Sequence, residues 1–421
     1  MSELTMPPGS APRTIVIAGA GHGGVHTAAA LRHNGFDGRI VLIGNEEGLP
    51  YQRPPLSKAY LQGKMPLDTL WLKPESFYRD NRIELLGHAR VAGIAPRERR
   101  LTLGSGETLA YDHLVLALGA RNRLLPLPGA DLDGVAYIRT LAETDALKPR
   151  LAAARDIVII GAGFIGLEFA AVAAAQGKTV TVLEMTDRVM SRVVSPVMSQ
   201  YFADWHAQGG ARFRFAARAT QVIGEAGRAV AVTAADGTRI PADLVVVSIG
   251  VVPNVELARD AGLAVGDGIV VDEMLRTADP AISAIGDCAF FPSLHGRRAL
   301  RLESVQNAHD QGKAVADRLT GKLATPDARY AAVPWFWSDQ GDRKLQIVGI
   351  ANGHDRTVIR GDVGTGAFSV FCYAGGDLLA IESVNRPGDH MFGRRAMAAG
   401  LQPTPEQAAD PTFDLKKFLQ G

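Results

Sequence analysis

Cysteine is nearly missing from this chain. Two cysteines, Cys288 and Cys372, stand 84 positions apart in 421 residues. That spacing excludes a disulfide framework, a cysteine metal centre and a CxxC or CxxxxC redox pair. Each cysteine reads as a small core residue, and no metal site is expected. An excess of either charge is lacking too. Lys and Arg number 45 against 44 Asp and Glu, a net charge of +1, so nothing global directs the chain to nucleic acid or a membrane surface. Residues 1–12 hold neither a basic n-region nor an apolar h-region, and read as a disordered lead-in, not a signal peptide. One apolar run reaches spanning length: Ile157 to Ala175, 19 residues with the single charge Glu168. It contains Gly161, Gly163 and Gly166 and opens on four β-branched residues, so a strand, a tight turn and a buried helix explain it better. These absences together place the protein in a reducing cytoplasm. The length predicts two or three domains.

What is present is a motif used twice. The first copy is Gly19-Ala20-Gly21-His22-Gly23-Gly24 and the second Gly161-Ala162-Gly163-Phe164-Ile165-Gly166. Each follows an apolar, β-branched run and opens an Ala-rich segment. The first glycine permits a tight turn, the second lets the backbone approach a pyrophosphate, and the last lets helix pack on strand. The helix N-terminus then offers its N–H groups to phosphate. We expect strands at Thr14–Ala18 and Asp156–Ile160, and helices at Val25–His33 and Leu167–Gln176, stopped by Gly35 and Gly177. Second strands are expected at Arg39–Ile43 and Thr179–Leu183.

An acid at the end of each second strand suits a ribose diol. Glu46 lies 22 residues beyond Gly24, and Glu184 lies 18 residues beyond Gly166. A carboxylate at Glu184 favours NAD(H) over NADP(H), although Arg188 and Arg192 stand nearby. Glu168 is the odd residue of the second unit. It either complements the helix dipole or faces the nicotinamide and flavin.

Further segments complete an ordered set: Arg53-Pro54-Pro55-Leu56-Ser57-Lys58, Tyr111 to Gly119, Val245 to Asn254, Ala284-Ile285-Gly286-Asp287-Cys288, Glu303 to Ala308 and Pro334 to Gln340. From about residue 12 to its end, the chain resembles the FAD-dependent, NADH-linked ferredoxin reductases of bacterial oxygenase systems. The resemblance implies an α/β fold with two Rossmann-like dinucleotide-binding domains of glutathione-reductase type. The FAD-binding domain would be discontinuous (12–120 and 247–330), with the NAD-binding domain (121–246) inserted in it. A C-terminal α+β domain would span 331–421. Asp236-Gly237 marks a turn between strands.

The resemblance also implies the site. Gly19, Gly21, Gly23, Gly24, Asn45 and Glu46 would hold tightly but non-covalently bound FAD, with Val91 at its adenine end through the backbone. Gly286-Asp287 would be the second FAD fingerprint, Asp287 bonding the ribityl chain. Arg53 and Arg139 would touch the cofactor, and Val305, at a helix N-terminus, would face the flavin's pyrimidine edge. Lys58 would sit near flavin N5 and pair with Glu168; these two are the implied catalytic residues. Gly161, Gly163, Gly166 and Glu184 would bind NADH, the electron donor. Two of the four tryptophans, Trp335 and Trp337, stand together as core residues or as a wall beside the flavin. Where relatives carry an Asp, this chain has Asn45; Leu118 replaces a common Thr; His22 occupies a position usually apolar, as a cofactor contact or an ordinary loop histidine.

The implied partner is a [2Fe–2S] ferredoxin, serving a cytochrome P450 or a ring-hydroxylating oxygenase. Arg297, Arg298, Arg301, Arg343, Lys344 and Trp337 are candidates for its docking face, the alternative for the cations being an ordinary solvated charge run. Two other functions fit the same scaffold. One is reduction of another acceptor: rubredoxin, a quinone or an ascorbate radical. The other is a redox-sensing scaffold like apoptosis-inducing factor.

Overall fold

The computed structural model describes residues 12–325 and 328–420. All but the last residue of the expected lead-in lies outside them. The chain forms two units. The first holds the residues up to Gln52, Leu70–Ala120 and Pro253–Ala332; the second holds Arg53–Thr69, Arg121–Val252 and the residues from Val333 onward.

In the first unit the strand Thr14–Ala18 is buried along most of its length, as a β-branched strand of a parallel sheet should be. It pairs in parallel with Arg39–Ile43 on one side and His113–Leu116 on the other. Ile83–Leu86 and Ile282–Ala284 extend the sheet at its two edges. The strand order therefore reverses at Thr14–Ala18, and the crevice beyond its C-terminal end is where such sheets bind ligands. The helix Val305–Leu319 packs so closely on His22–His33 that a Cβ on Gly312 would lie 2.6 Å from Thr27 Oγ1.

The second unit repeats this sheet. Its parallel order is Arg212–Arg214, Thr179–Leu183, Asp156–Ile160, Leu244–Val247 and Val135–Ala136. The expected turn at Asp236-Gly237 joins Arg228–Ala234 to Arg239–Pro241, with Gly237 at φ +80°. A five-stranded antiparallel sheet follows, ordered Trp335–Gln340, Arg343–Gly349, Asp377–Val384, Ala367–Ala374 and Arg356–Asp362. The fold is thus two Rossmann-like α/β sheets and a C-terminal α+β portion.

Both fingerprint helices begin three residues earlier than expected, at His22 and Phe164. The fingerprint glycines form the first helical turn: Val25 N–H bonds Gly21 C=O at 3.0 Å, and Leu167 N–H bonds Gly163 C=O at 3.0 Å. The apolar run Ile157 to Ala175 is a strand, a turn and a helix, and no helix among the described residues is long and apolar enough to cross a membrane.

One carboxylate in the C-terminal sheet is wholly enclosed. Glu382 is 0% exposed and accepts bonds from Ser195 N–H at 2.8 Å and Ser195 Oγ at 2.6 Å. Ser195 in turn caps the helix Pro196–Gln208, its Oγ accepting from Met198 N–H. Burial pushes the Glu382 carboxyl up to about 7, against the opposing pull of the Ser195 bonds and Arg188. A carboxyl raised on folding holds its proton more firmly in the folded chain. Its contribution is complete below about pH 4.5 and is lost as pH rises through about 7. Glu382→Gln is therefore expected to match wild-type stability at pH 4.5. At pH 8 it should exceed wild type by up to about 3 kcal/mol. Urea unfolding at both pH values checks this, and a constant difference between the two proteins would refute it.

Candidate functional site

The first, second and last glycines of each fingerprint meet three different surroundings. Gly19 has φ +116°, and a Cβ there would lie 2.1 Å from the Ala117 carbonyl oxygen; Gly161 has φ +101° with Ser248 O at 2.3 Å. Only glycine fits these turns. A Cβ on Gly24 would lie 1.8 Å from Gly19 O, and one on Gly166 2.4 Å from Gly161 O, so these let the helix close onto the turn. The middle glycines are the exception. A Cβ on Gly21 or Gly163 would meet nothing within 4 Å. No protein packing requires glycine there, and the space lies beside a helix N-terminus, where a pyrophosphate fits. Gly23 packs on Ile285, at 3.3 Å from a built Cβ.

In the first unit Glu46 follows the second strand, half-buried, and accepts a bond from Tyr51 Oη; Asn45 beside it is exposed. Val91 is buried at the start of Val91–Ala95. Gly286, at φ +71°, opens a 3-10 turn that presents half-buried Asp287. The Gly286 N–H donates to Gln311 Oε1 at 2.7 Å, while Gln311 Nε2 is buried without a protein partner. Gln311 was not expected from sequence; only its spacing on the Val305 helix could have shown it. Val305 begins that helix, behind the N-cap Ser304. His22 is the first residue of its helix, not a loop residue.

In the second unit Glu184 Oε2 accepts from Ala162 N–H at 2.8 Å, tying acid to glycine turn. Its Oε1 accepts from Thr186 N–H and Oγ1, each at 2.9 Å. Arg188 donates to the Val194 and Ser191 carbonyls at 2.9 and 2.7 Å.

The same unit buries a charged cluster. Lys58, directly after the 3-10 turn Pro54–Ser57, reaches Glu168 Oε1 at 2.8 Å; the side chains are 17% and 5% exposed. Glu168 Oε2 accepts from Ser57 Oγ at 2.5 Å, and Oε1 accepts also from Ser338 Oγ at 2.7 Å. Glu168 lies beyond the first turn of its helix and is buried, so complementing the helix dipole does not account for it. Such an enclosed carboxylate is costly unless paired and bonded, and here it is both. Arg53 Nη1 donates to the Arg139 carbonyl at 2.7 Å, so these two expected site residues stand together.

Two glycine cradles on Rossmann-like sheets, in a chain that also holds a buried Lys–Glu pair, narrow the family. Residues 13–312 match the pyridine nucleotide-disulphide oxidoreductase family, and residues 335–419 match the reductase C-terminal family. The chain belongs to this family. It is 50% identical over 403 residues to rhodocoxin reductase of Rhodococcus erythropolis, covering 96% of this chain and 93% of that protein. The crystal structure of the ferredoxin reductase for the CYP199A2 system of Rhodopseudomonas palustris superposes with a TM-score of 0.93 at 52% identity, covering 96% and 99% of the two chains. The reductase in a covalent putidaredoxin reductase–putidaredoxin complex also gives 0.93, at 38% identity, covering 98% and 99%. Membership brings with it the use of FAD and NAD(P)H.

Both cysteines are buried, and burial raises each thiol, Cys288 to about 11. Disulfide chemistry has no accessible thiol here. Trp335 packs against the C-terminal apolar cluster, with Arg394 4.4 Å above its ring, and stands 5.8 Å from half-buried Trp337. Among the expected docking cations, Arg297, Arg298 and Lys344 are exposed. Arg301 is a correction. Its side chain is 10% exposed and committed to Glu303 at 2.5 Å and to the Asp267 carbonyl, so it supports the turn at Asp287 and is no surface cation. Arg343 is 24% exposed and paired with Asp342.

The open space at the middle glycines separates cofactor binding from folding. Gly21→Val should yield a folded protein without FAD, as read by absorbance at the flavin bands and by far-ultraviolet circular dichroism. Gly163→Val should keep FAD and lose at least about tenfold in NADH affinity. Gly24→Val should fail to fold in the first unit. A yellow Gly21→Val protein with full FAD occupancy would remove the first cradle from FAD binding.

Proposed function

We propose that the protein is an NADH-dependent flavoprotein reductase that delivers electrons to a [2Fe–2S] ferredoxin serving a cytochrome P450 or ring-hydroxylating oxygenase. The observation that carries this reading is the pair of equivalent glycine cradles, each with an acid at its second strand, in a chain without an accessible thiol. The named relatives reduce ferredoxin-type proteins, and the similarity to them runs the length of the chain. We divide the chain into the discontinuous FAD domain 12–120 and 247–330, the NAD domain 121–246 and the C-terminal domain 331–421.

Bound FAD would supply the hydride acceptor and the step from two-electron to one-electron transfer, with NADH as donor. The residues' part is to bind, orient and set charge. Gly19 to Gly24, Glu46, Val91, Gly286, Asp287 and the start of the Val305 helix would hold FAD tightly and non-covalently. Gly161 to Gly166 and Glu184 would hold NADH. The donor preference follows from charge. Glu184 repels a 2′-phosphate, and Arg188 has its guanidinium spent on two backbone carbonyls, so it cannot compensate. Lys58 and Glu168 form a compensated charge pair in a largely water-excluded place, where electrostatic effects are strongest. Arg297 and Arg298, beside exposed Leu294 on one hairpin, are the basic face we assign to an acidic ferredoxin.

Steady-state turnover against a panel of [2Fe–2S] ferredoxins tests the function. Turnover confined to rubredoxin or a quinone would refute the ferredoxin assignment. Glu184→Ala should raise the KM for NADH about tenfold with kcat and FAD content nearly unchanged. An unaltered KM would place the ribose elsewhere. Arg297→Glu with Arg298→Glu should slow ferredoxin reduction and flatten its salt dependence, leaving reduction by NADH intact. An unchanged rate and salt slope would rule out this hairpin as the docking face.

A further inference from the structure

Glu168 is the end of a longer chain of hydrogen bonds. Ser338 lies on the first strand of the antiparallel sheet, and its Oγ, besides donating to Glu168, accepts from Gln340 Nε2 at 3.3 Å. Gln340 lies two residues along the same strand on the same face, and its Oε1 faces His206 Nε2 at 2.7 Å. The amide oxygen can only accept, so His206 donates from Nε2. His206 sits in the Pro196–Gln208 helix against Trp205 and Phe213. Burial pulls it down to about 4, against the Gln340 bond, which keeps the ring neutral at physiological pH. Ser338, Gln340 and Glu168 are each no more than 5% exposed.

Every donor in this chain points the same way. His206 N–H donates to Gln340, Gln340 N–H to Ser338, and Ser338 O–H to the carboxylate. Aligned donors polarise one another, and the effect accumulates at the charged terminus. Serine at 338 would be an odd choice for packing alone, since a buried hydroxyl costs energy unless bonded. We infer that Ser338, Gln340 and His206 are positioning residues for the reaction: they hold the Glu168 carboxylate in place and in charge against Lys58, from the C-terminal sheet and the Pro196–Gln208 helix. This rests on the reading that the Lys58–Glu168 pair serves hydride transfer from NADH.

Anaerobic stopped-flow reduction of the FAD-loaded protein by NADH separates the limiting rate from NADH affinity. Ser338→Ala should lower the limiting rate about tenfold with affinity within about twofold, and Ser338→Thr, which keeps the hydroxyl, should restore it. Gln340→Met, which removes the donor behind Ser338 together with the acceptor of the His206 Nε2–H, should cost about threefold. A second readout needs no turnover. In 15N-histidine-labelled protein the His206 Nε2–H resonance should shift in Ser338→Ala, although Ser338 does not touch His206. An unmoved resonance, or equal rate losses in Ser338→Ala and Ser338→Thr, would overturn the inference. Glu168→Gln distinguishes the two levels. If it is slow while Ser338→Ala and Gln340→Met behave as wild type, the chain is not a positioning device. If it is itself as fast as wild type, the Lys58–Glu168 reading fails and takes this inference with it.

Discussion

A carboxylate that is 5% exposed cannot remain charged without donors, and the donors of Glu168 come from two distant stretches. Ser57 and Lys58 lie 111 and 110 residues away, and Ser338 lies 170 residues away on the other side. The desolvation penalty of one buried ion is several kcal/mol before compensation. That cost binds the Pro-rich turn, the second fingerprint helix and the antiparallel sheet into one unit. It also explains why Arg53–Thr69 groups with the second unit although the strands around it belong to the first.

The two glycine motifs show one backbone solution used twice in the same chain. In both copies the outer glycines answer to the protein's own backbone, and the middle glycine answers to nothing in the chain. The difference between the sites therefore lies outside the fingerprint. The first cradle is joined by Gly286 and Asp287 and by the Val305 helix, with Gln311 fixing the turn. The second is joined by Glu184 bonded back to the Ala162 N–H.

Much of this was legible in the sequence. The alternation of apolar strand, glycine turn and Ala-rich helix set both sheets, and the central strands fall at Thr14–Ala18 and Asp156–Ile160 as expected. The helix starts were read late because glycine ordinarily argues against a first turn, yet here its lack of a side chain is what lets the turn close. Ser57, Ser338 and Gln340 were invisible as site residues, since a hydroxyl or amide that meets its partner over a long sequence separation leaves no local pattern. Arg301 was misread for the opposite reason. It continues an arginine-rich stretch that looks solvated, and only the fold reveals Asp267 and Glu303 beside it. Glu382 carried no signal in the sequence, because its partner, Ser195, is a helix cap 187 residues earlier.

The wide spacing of the Glu168 donors has a consequence for biosynthesis. Both dinucleotide sheets are complete in sequence before Trp335–Gln340 is translated. A nascent chain therefore carries both cradles while the third donor to Glu168 is still missing. Contacts of such long separation form late, because their loop entropy must be met first. Ribosome-bound or C-terminally truncated chains would carry a Glu168 carboxylate that is incompletely anchored. Completion of roughly the last fifth of the chain thus supplies the donor that finishes the anchoring of Glu168.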